Sequence, residues 1–382
     1  MGEGHRVLFL SANAGTGHTS AAEAVRKALL LIDSSTTTKI VDSYSQANAF
    51  LGRVATQGYI QLVKFLPQIY SFFYELRDRD AAMGLFKSKL TQITARNFRK
   101  LMKEFRPDLV VCTHAFPSGI ASILKEEFHI RLVCVITDFT VHPFWIHQNA
   151  DLYLVGDEEL ADVLRSKKID PKRIKVTGIP VDPEFSIKEE KNTVRERLGL
   201  LPDLETILVM GGGAGLGPIG WILRSLRKVG HPIQVVVVTG VNRGLRKRME
   251  KVAAKLNGAK HGKKTSIKQV KVYGFVDNVH DLMKASDLLI TKPGGLTSSE
   301  ALAAELPIVI VRPLPGQEIR NAHYLIKEKA AVMAKREKNV ARVVDQLFSD
   351  PKQLAKLRDR ARQLKKPKAA SEAAHYIMEL LQ

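Results

Sequence analysis

The stretch Lys292-Pro293-Gly294-Gly295-Leu296-Thr297 sets a cation and a pair of glycines between the apolar run Leu288–Ile290 and a helical pattern beginning near Thr297. A glycine turn that opens a helix presents unpaired backbone N–H groups at the positive end of the helix dipole, a setting that suits phosphate. Glu300 stands one turn into that helix, close enough to reach a sugar hydroxyl at the same mouth. The next loop, Arg312-Pro313-Leu314-Pro315-Gly316-Gln317-Glu318, followed by Asn321, brings amides and a carboxylate to the carboxyl end of the following strand. Taken singly, Lys292 and Glu300 read as surface charges, and Gln317, Glu318 and Asn321 as an ordinary helix start. Placed at successive strand ends of one sheet, they argue for a composite site. Phosphate beside hydroxyls is what a nucleotide sugar demands.

Three further turns follow apolar runs. Gly211-Gly212-Gly213-Ala214-Gly215-Leu216-Gly217 holds five glycines, more than a plain turn needs, so backbone must approach something closely there. Its Gly215-x-Gly217-x-x-Gly220 fits the dinucleotide pattern loosely: Pro218 interrupts it, and the next strand ends in Thr239-Gly240 without an acidic residue. Gly15-x-Gly17, with Asp42 after the second strand, is another loose match, so a nicotinamide or flavin enzyme stays a minor rival. The plain reading of Gly15-Thr16-Gly17-His18 is a tight turn with His18 capping a helix. The functional one is a backbone anion site with His18 as general base, work suited to a group that titrates near neutrality. The last turn, Thr137-Asp138-Phe139 with His142, Trp145 and His147, follows Thr113-His114 at the end of the preceding strand. That mixture invites a metal, yet a metal needs several converging ligands, and one short segment does not supply them; no metal site is assigned. Polar groups at adjacent strand ends favour function over structure, with Asp138 as second candidate base. Asp78-x-Asp80 reads as part of a solvated helical face.

The elements that position these turns alternate along the whole chain. Short buried strands at Val7–Ser11, Leu109–Cys112, Leu132–Ile136 and Leu152–Val155 are separated by helical patterns, and the alternation restarts with Thr206–Met210, Ile233–Thr239 and Val270–Tyr273. Buried strands alternating with helices mean parallel sheets, and two restarts mean two Rossmann-like domains, with a hinge near Pro180–Ser186. The last helices are read as 340–348, 351–364 and 371–381. One segment departs from the pattern. From Ala47 to Phe105 the chain is mostly helical and interleaves aromatics (Phe50, Tyr59, Phe65, Tyr70) with cations (Arg53, Lys64, Arg77, Arg79). Roughly half of these aromatics belong in a core. Nucleic-acid binding would need a β-platform or an OB-type groove, which nothing here resembles. A membrane surface fits the remainder best.

The chain has 382 residues and a formal net charge of +20, which calls for a polyanionic partner such as nucleic acid, an anionic membrane or a phosphate substrate. Cys112 and Cys134 lie in apolar runs and read as buried free thiols of a reduced compartment. No apolar run reaches the length of a membrane span, and the start turns polar too soon for a signal peptide. Arg6 stands where a myristoylation match would need Ser or Thr.

In order and spacing, these motifs resemble the monogalactosyldiacylglycerol synthases and processive diacylglycerol glucosyltransferases, relatives of the N-acetylglucosaminyltransferase that completes the lipid-linked peptidoglycan precursor. The carriers are Gly15-Thr16-Gly17-His18 with Ala21-Ala22, Thr137-Asp138 with His142, Trp145 and His147, the glycines at 211, 212, 213, 215 and 217, Lys292-Pro293-Gly294-Gly295 with Thr297 and Glu300, and Pro315-Gly316-Gln317-Glu318 with Asn321. The resemblance implies an α/β GT-B fold: two facing Rossmann-like domains with a cleft between them. Residues 1–183 would form the lipid-acceptor domain, 184–365 the UDP-sugar domain, and 366–382 a helix crossing back to the first. It implies Phe275 and Val276 at the uracil, Glu300 at the ribose, and Gly213, Gly294, Gly295 and Thr297 at the diphosphate, with Lys292 beside them. Gln317, Glu318 and Asn321 would hold the sugar. Gly15, Gly17, His114, His142, Trp145 and His147 would face the acceptor, with His18 or Asp138 as base. The implied reaction inverts the anomeric centre and moves a hexose from a UDP-sugar, a substrate rather than a cofactor, to diacylglycerol or a glycosyldiacylglycerol. No metal or other cofactor is obligatory. The partners are a membrane lipid acceptor and an anionic phospholipid surface, not nucleic acid, and the place is cytoplasmic, on the inner face of the cell membrane. The alternatives are transfer of N-acetylglucosamine to a polyprenyl-diphosphate precursor, a nucleotide-sugar epimerase on the same fold, and a non-catalytic UDP-sugar sensor.

Overall fold

The computed structural model describes residues 4–12, 16–47, 96–258 and 266–382. Among these, the strands form two six-stranded sheets. The first holds β1 (Arg6–Ser11), β2 (Thr37–Asp42), β3 (Leu109–Cys112), β4 (Arg131–Val135), β5 (Leu152–Val155) and β6 (Ile174–Val176), in the order β2-β1-β3-β4-β5-β6. The second holds β7 (Glu205–Met210), β8 (Ile233–Val238), β9 (Ile267–Tyr273), β10 (Leu288–Thr291), β11 (Ile308–Val311) and β12 (Ala331–Ala334), in the order β12-β11-β10-β7-β8-β9. Every pairing is parallel. Parallel strands covered on both faces read as unbroken apolar runs, and Val235–Val238 and Ile308–Val311 are fully of that kind.

Each sheet grows in one direction from its first strand and then returns to that strand's other side. The reversal lies between β1 and β3 in the first sheet and between β7 and β10 in the second. Loops that leave such a point part to opposite faces and open a crevice at the carboxyl ends of the strands, where open α/β sheets bind ligands. Registers Leu10↔Cys112 and Met210↔Thr291 bring paired strands to their ends together. The turns singled out by chemistry are the loops that follow them: residues 12–18 and Thr113-His114 in one sheet, Gly211–Gly217 and Lys292–Gly295 in the other.

Alternate residues of the first sheet serve two cores. Val7, Phe9, Val111 and Val133 pack beneath the helix Thr16–Ile32, which is joined there by Ala370, Ala373, Ala374 and Ile377 of the final helix Ala369–Leu381. Small side chains on both helices permit close approach. Leu8, Leu10, Cys112 and Cys134 face the opposite core with Phe98, Met102 and Tyr153. Both cysteines are free and buried, as the sequence suggested, and burial pushes both thiols well above their ordinary titration. In the second sheet, buried Asp287 accepts from Arg195, Lys191 and the backbone N–H of Thr206, fixing the entry to β10 against β7.

The contacts divide the chain into two compact units, one of Met1–Pro183, Leu314–Gln317 and Lys368–Gln382, the other of Glu184–Pro313 and Glu318–Pro367. Four elements depart from the sequence expectation. The helix after the glycine pair starts at Gly295 rather than near Thr297. The short helices Lys191–Arg197 and Val279–Lys284 span too few residues for a period to show. Strand β12 (Ala331–Ala334) closes one edge of the second sheet, an element the sequence pattern does not assign. Among the described residues no helix is long and apolar enough to cross a membrane. The basic aromatic segment, including Asp78 and Asp80, lies mostly outside the described residues, as does Gly15.

Candidate active site

In the first sheet the site is built on His18, in the opening turn of the helix Thr16–Ile32 that follows β1. Its Nδ1 lies 3.0 Å from the carbonyl oxygen of Thr113 and 2.8 Å from Oγ1 of Thr137. A carbonyl only accepts, so Nδ1 carries the proton and Nε2 keeps a lone pair. Residues that end three strand loops thus fix one imidazole in the tautomer and orientation a base requires. Desolvation lowers the His18 pKa from 6.5 to about 4, the backbone bond to Thr113 opposing the shift. The ring is therefore neutral at physiological pH. His114 meets it edge to face at 4.7 Å between centroids, and Tyr44 meets His114 at 5.8 Å.

The other acceptor-side candidates do visible structural work. His114 caps the helix Ala115–Phe128, its Nδ1 accepting from the N–H of Phe116 at 3.0 Å. His142 caps the turn Pro143–Trp145 in the same way through Phe144. Trp145 is buried, and its carbonyl accepts from the Tyr153 hydroxyl, which itself accepts from the N–H of His147. His147 also contacts Ser118 Oγ at 3.2 Å. Asp138 is buried in the loop after β4, and Gly17 lies in the first turn of the helix of His18. Tyr44 and the pairing of Thr113 with Thr137 were not singled out by sequence. Only the topology, which lays the ends of β1, β3 and β4 side by side, reveals them.

In the second sheet the five-glycine loop does approach something closely, and the partner is the neighbouring loop of the same unit. A Cβ on Gly215, whose φ is +60°, would stand 2.0 Å from the carbonyl of Thr239, and one on Gly240 would stand 2.0 Å from the carbonyl of Gly213. That Gly213 carbonyl accepts from Val241 at 2.9 Å. Much of the glycine excess therefore serves loop-on-loop packing, a demand that composition alone does not distinguish from a phosphate. Gly294 differs: a Cβ there would meet nothing within 4 Å. As N-cap of the helix Gly295–Ala303 it brings no side chain of its own to the first N–H groups. The helix start thus lies at the switch point with open space beside Gly294 among the described residues, with Thr297 in its first turn and buried Glu300 one turn further in.

Lys292 and Glu318 form an ion pair across this mouth. Asn321, fully buried, donates from Nδ2 to the carbonyl of Pro293 at 3.1 Å, so its amide ties the two loops together. Gln317 and Glu318 begin the helix Gln317–Lys327. Phe275, 54% exposed, stands with Val276 in the loop after β9. Among the described residues no group of three or more His, Cys, Asp or Glu side chains is arranged to hold a metal ion.

Residues 18–181 match the monogalactosyldiacylglycerol synthase family model, and residues 206–374 match the C-terminal domain of glycosyltransferase family 28. Between them the two matches span most of the chain, which is thus similar to monogalactosyldiacylglycerol synthases over its first part and to family 28 glycosyltransferases over its second. A curated relative, the processive diacylglycerol beta-glucosyltransferase of Bacillus subtilis (strain 168), is 29% identical over 367 residues, covering 95% of this chain and 92% of its own length. Among solved structures, MurG of Acinetobacter baumannii matches with a TM-score of 0.62 at 16% identity, over 98% of this chain and 99% of its own. MnaA of S. aureus, solved with UDP, matches with a TM-score of 0.63 at 13% identity, over 99% and 97%. These likenesses establish the GT-B fold, two Rossmann-like domains each carrying one parallel sheet. The turns at His18 and at Gly294 thus lie one in each of the two Rossmann-like domains.

Proposed function

We propose that this protein transfers a hexose from a UDP-sugar to diacylglycerol, or to a glycosyldiacylglycerol, with inversion at the anomeric carbon. The observation that carries this reading is the glycine-capped helix start at Gly294–Gly295. It combines aligned N–H groups, a lysine and open space, in a chain whose relatives are named for transfer of glucose to diacylglycerol. The diphosphate sits on that helix start. Glu300 takes the ribose, Phe275 and Val276 the uracil, and Gln317 and Glu318 the sugar. MnaA, of like fold, is solved with UDP, which supports this choice of nucleotide.

His18 acts as the base. Neutral, with Nε2 unprotonated, it accepts the proton of the acceptor hydroxyl as that oxygen attacks the anomeric carbon. The carbon–oxygen bond to UDP breaks on the opposite face, and UDP leaves with the electron pair. Backbone N–H groups and Lys292 meet the charge that develops on the diphosphate, stabilisation that is already in place when the bond breaks. On this reading the reaction requires no cofactor. The protein works as a peripheral enzyme on the cytoplasmic leaflet, held there in part by its positive charge; Arg243, Lys247, Lys251 and Lys255, exposed at four-residue spacing along the helix Arg243–Asn257, offer such a surface. His18→Ala should lower turnover on the order of 10²–10⁴-fold, as expected for loss of a general base, while calorimetry shows UDP binding nearly unchanged. Undiminished turnover removes His18 from the chemistry.

A further inference from the structure

Two helices of the second unit share one outer face. The helix Ile219–Leu226 follows the glycine loop after β7, and the helix Arg243–Asn257 follows β8. Both bury their apolar sides in one core, through Ile222 and Leu223 of the first and Leu245 and Met249 of the second. They lie side by side, since a Cβ on Gly220 would stand 3.4 Å from Met249 Cε. The far side of the second helix turns to β9: Arg246 lies against Gly274, and Asn257 bonds both backbone groups of Val270. At about 3.6 residues per turn, the exposed Arg248, Lys251 and Lys255 then fall on the side toward the first helix. Glu250, the one acid of the second helix, lies on the β9 side, paired with Arg246. The first helix adds exposed Trp221 and Arg224 on its outer side, with exposed Lys228 just past its end, and residues 219–228 hold no acid.

Trp221 gives this basic face its character. The ring is 63% exposed, and the Arg224 guanidinium lies over it at 4.8 Å. An indole among cations matches the boundary of a bilayer: the ring settles at headgroup level while guanidinium and ammonium groups meet lipid phosphates. Single-stranded nucleic acid would ask for a groove with several stacking rings, and one indole on the outside of two helices offers neither. We propose that this two-helix face, with Trp221 as its anchor, docks the second Rossmann-like domain onto an anionic bilayer. This docking rests on the reading above, in which the protein works at a membrane. The first helix starts from the glycine loop beside the donor mouth, so docking there holds that mouth near the lipid.

The chain has two tryptophans, and Trp145 is buried, so a change of emission on docking belongs to Trp221. The full chain is mixed with vesicles of phosphatidylglycerol and phosphatidylcholine, with phosphatidylcholine alone, and with duplex DNA. The anionic vesicles should shift the emission to the blue, brominated acyl chains should quench it, and salt should reverse both effects. Trp221→Phe should abolish the shift and the quenching. Lys228→Glu with Arg248→Glu, its folding checked by thermal melting, should bind the anionic vesicles about tenfold or more weakly. Its transfer to detergent-dispersed diacylglycerol should stay unchanged. Cosedimentation with vesicles without any change at Trp221 overturns the proposal, since the contact then lies elsewhere in the chain. An equal shift with neutral vesicles overturns it too, as does a shift with DNA and none with vesicles. If Trp221 docks and no acceptor takes sugar, the transfer reading falls and the docking holds. If dispersed diacylglycerol takes sugar and Trp221 does not respond to vesicles, the docking alone falls.

Discussion

The imidazole of His18 donates from Nδ1 toward the Thr113 carbonyl, so its lone pair is confined to Nε2. Its folded pKa of about 4 lies below the usual 6.5, which fixes the direction of two effects. The neutral form is favoured in the fold. Protonation therefore favours unfolding, and His18 reduces stability only as pH falls from about 6.5 through about 4. For catalysis the same shift keeps the base unprotonated well below neutrality. A profile of kcat/KM against pH should place the acid limb assigned to His18 well below 6.5, and the limb should vanish in His18→Ala if residual turnover permits its measurement. A limb at or above 6.5 contradicts the desolvated, neutral imidazole. His18, Glu300 and Glu318 were legible in the sequence because each follows a strand and a glycine or proline turn. Thr137 Oγ1 as partner of His18 and the bond from Asn321 to Pro293 were not, since sequence neighbours do not make those contacts. The structure assigns Asn321 to tying loops, a part that its type and position share with sugar recognition.

Among the elements, the glycine loop shows how one sequence signal serves two demands. Gly215 and Gly240 are required where two loops of the second sheet cross, whereas a Cβ at Gly294 would meet nothing within 4 Å among the described residues. Gly240 has φ +57°, and the carbonyl of Gly213 fills the space a side chain would take. Gly240→Ala should therefore lose about 2 kcal/mol or more of stability, from left-handed backbone and a contact with no room to relax. Denaturant unfolding checks this, and a variant within about 0.5 kcal/mol of wild type would show that the loops move apart freely. Strands such as Val235–Val238 were legible because burial on both faces leaves only apolar residues. Strand β12 was not, because Ala331–Ala334 at the sheet edge carries a weak, partly exposed pattern. The final helix was legible as a helix, while its alanine seam against the helix Thr16–Ile32 appears only in three dimensions.

At the scale of the molecule, two restarts of the strand–helix alternation gave the two parallel sheets, and the switch point of each explains why the chemistry gathers where it does. The charge of +20 marks an anionic partner without naming it, because charge carries no shape. The membrane-facing reading of the segment from Ala47 to Lys103 concerns residues mostly outside those described, so the acceptor must be settled by product rather than by contact. The deciding measurement is a panel of radiolabelled UDP-hexoses with mixed vesicles of diacylglycerol and anionic phospholipid, followed by chromatography of the lipid products across a salt series. The proposed transfer should place label in a glycosyldiacylglycerol, of inverted anomeric configuration, with a yield that falls as salt screens the membrane contact. Label appearing only with a polyprenyl-diphosphate acceptor, epimerised nucleotide sugar without any acceptor, or nucleotide binding without transfer to any lipid would contradict it.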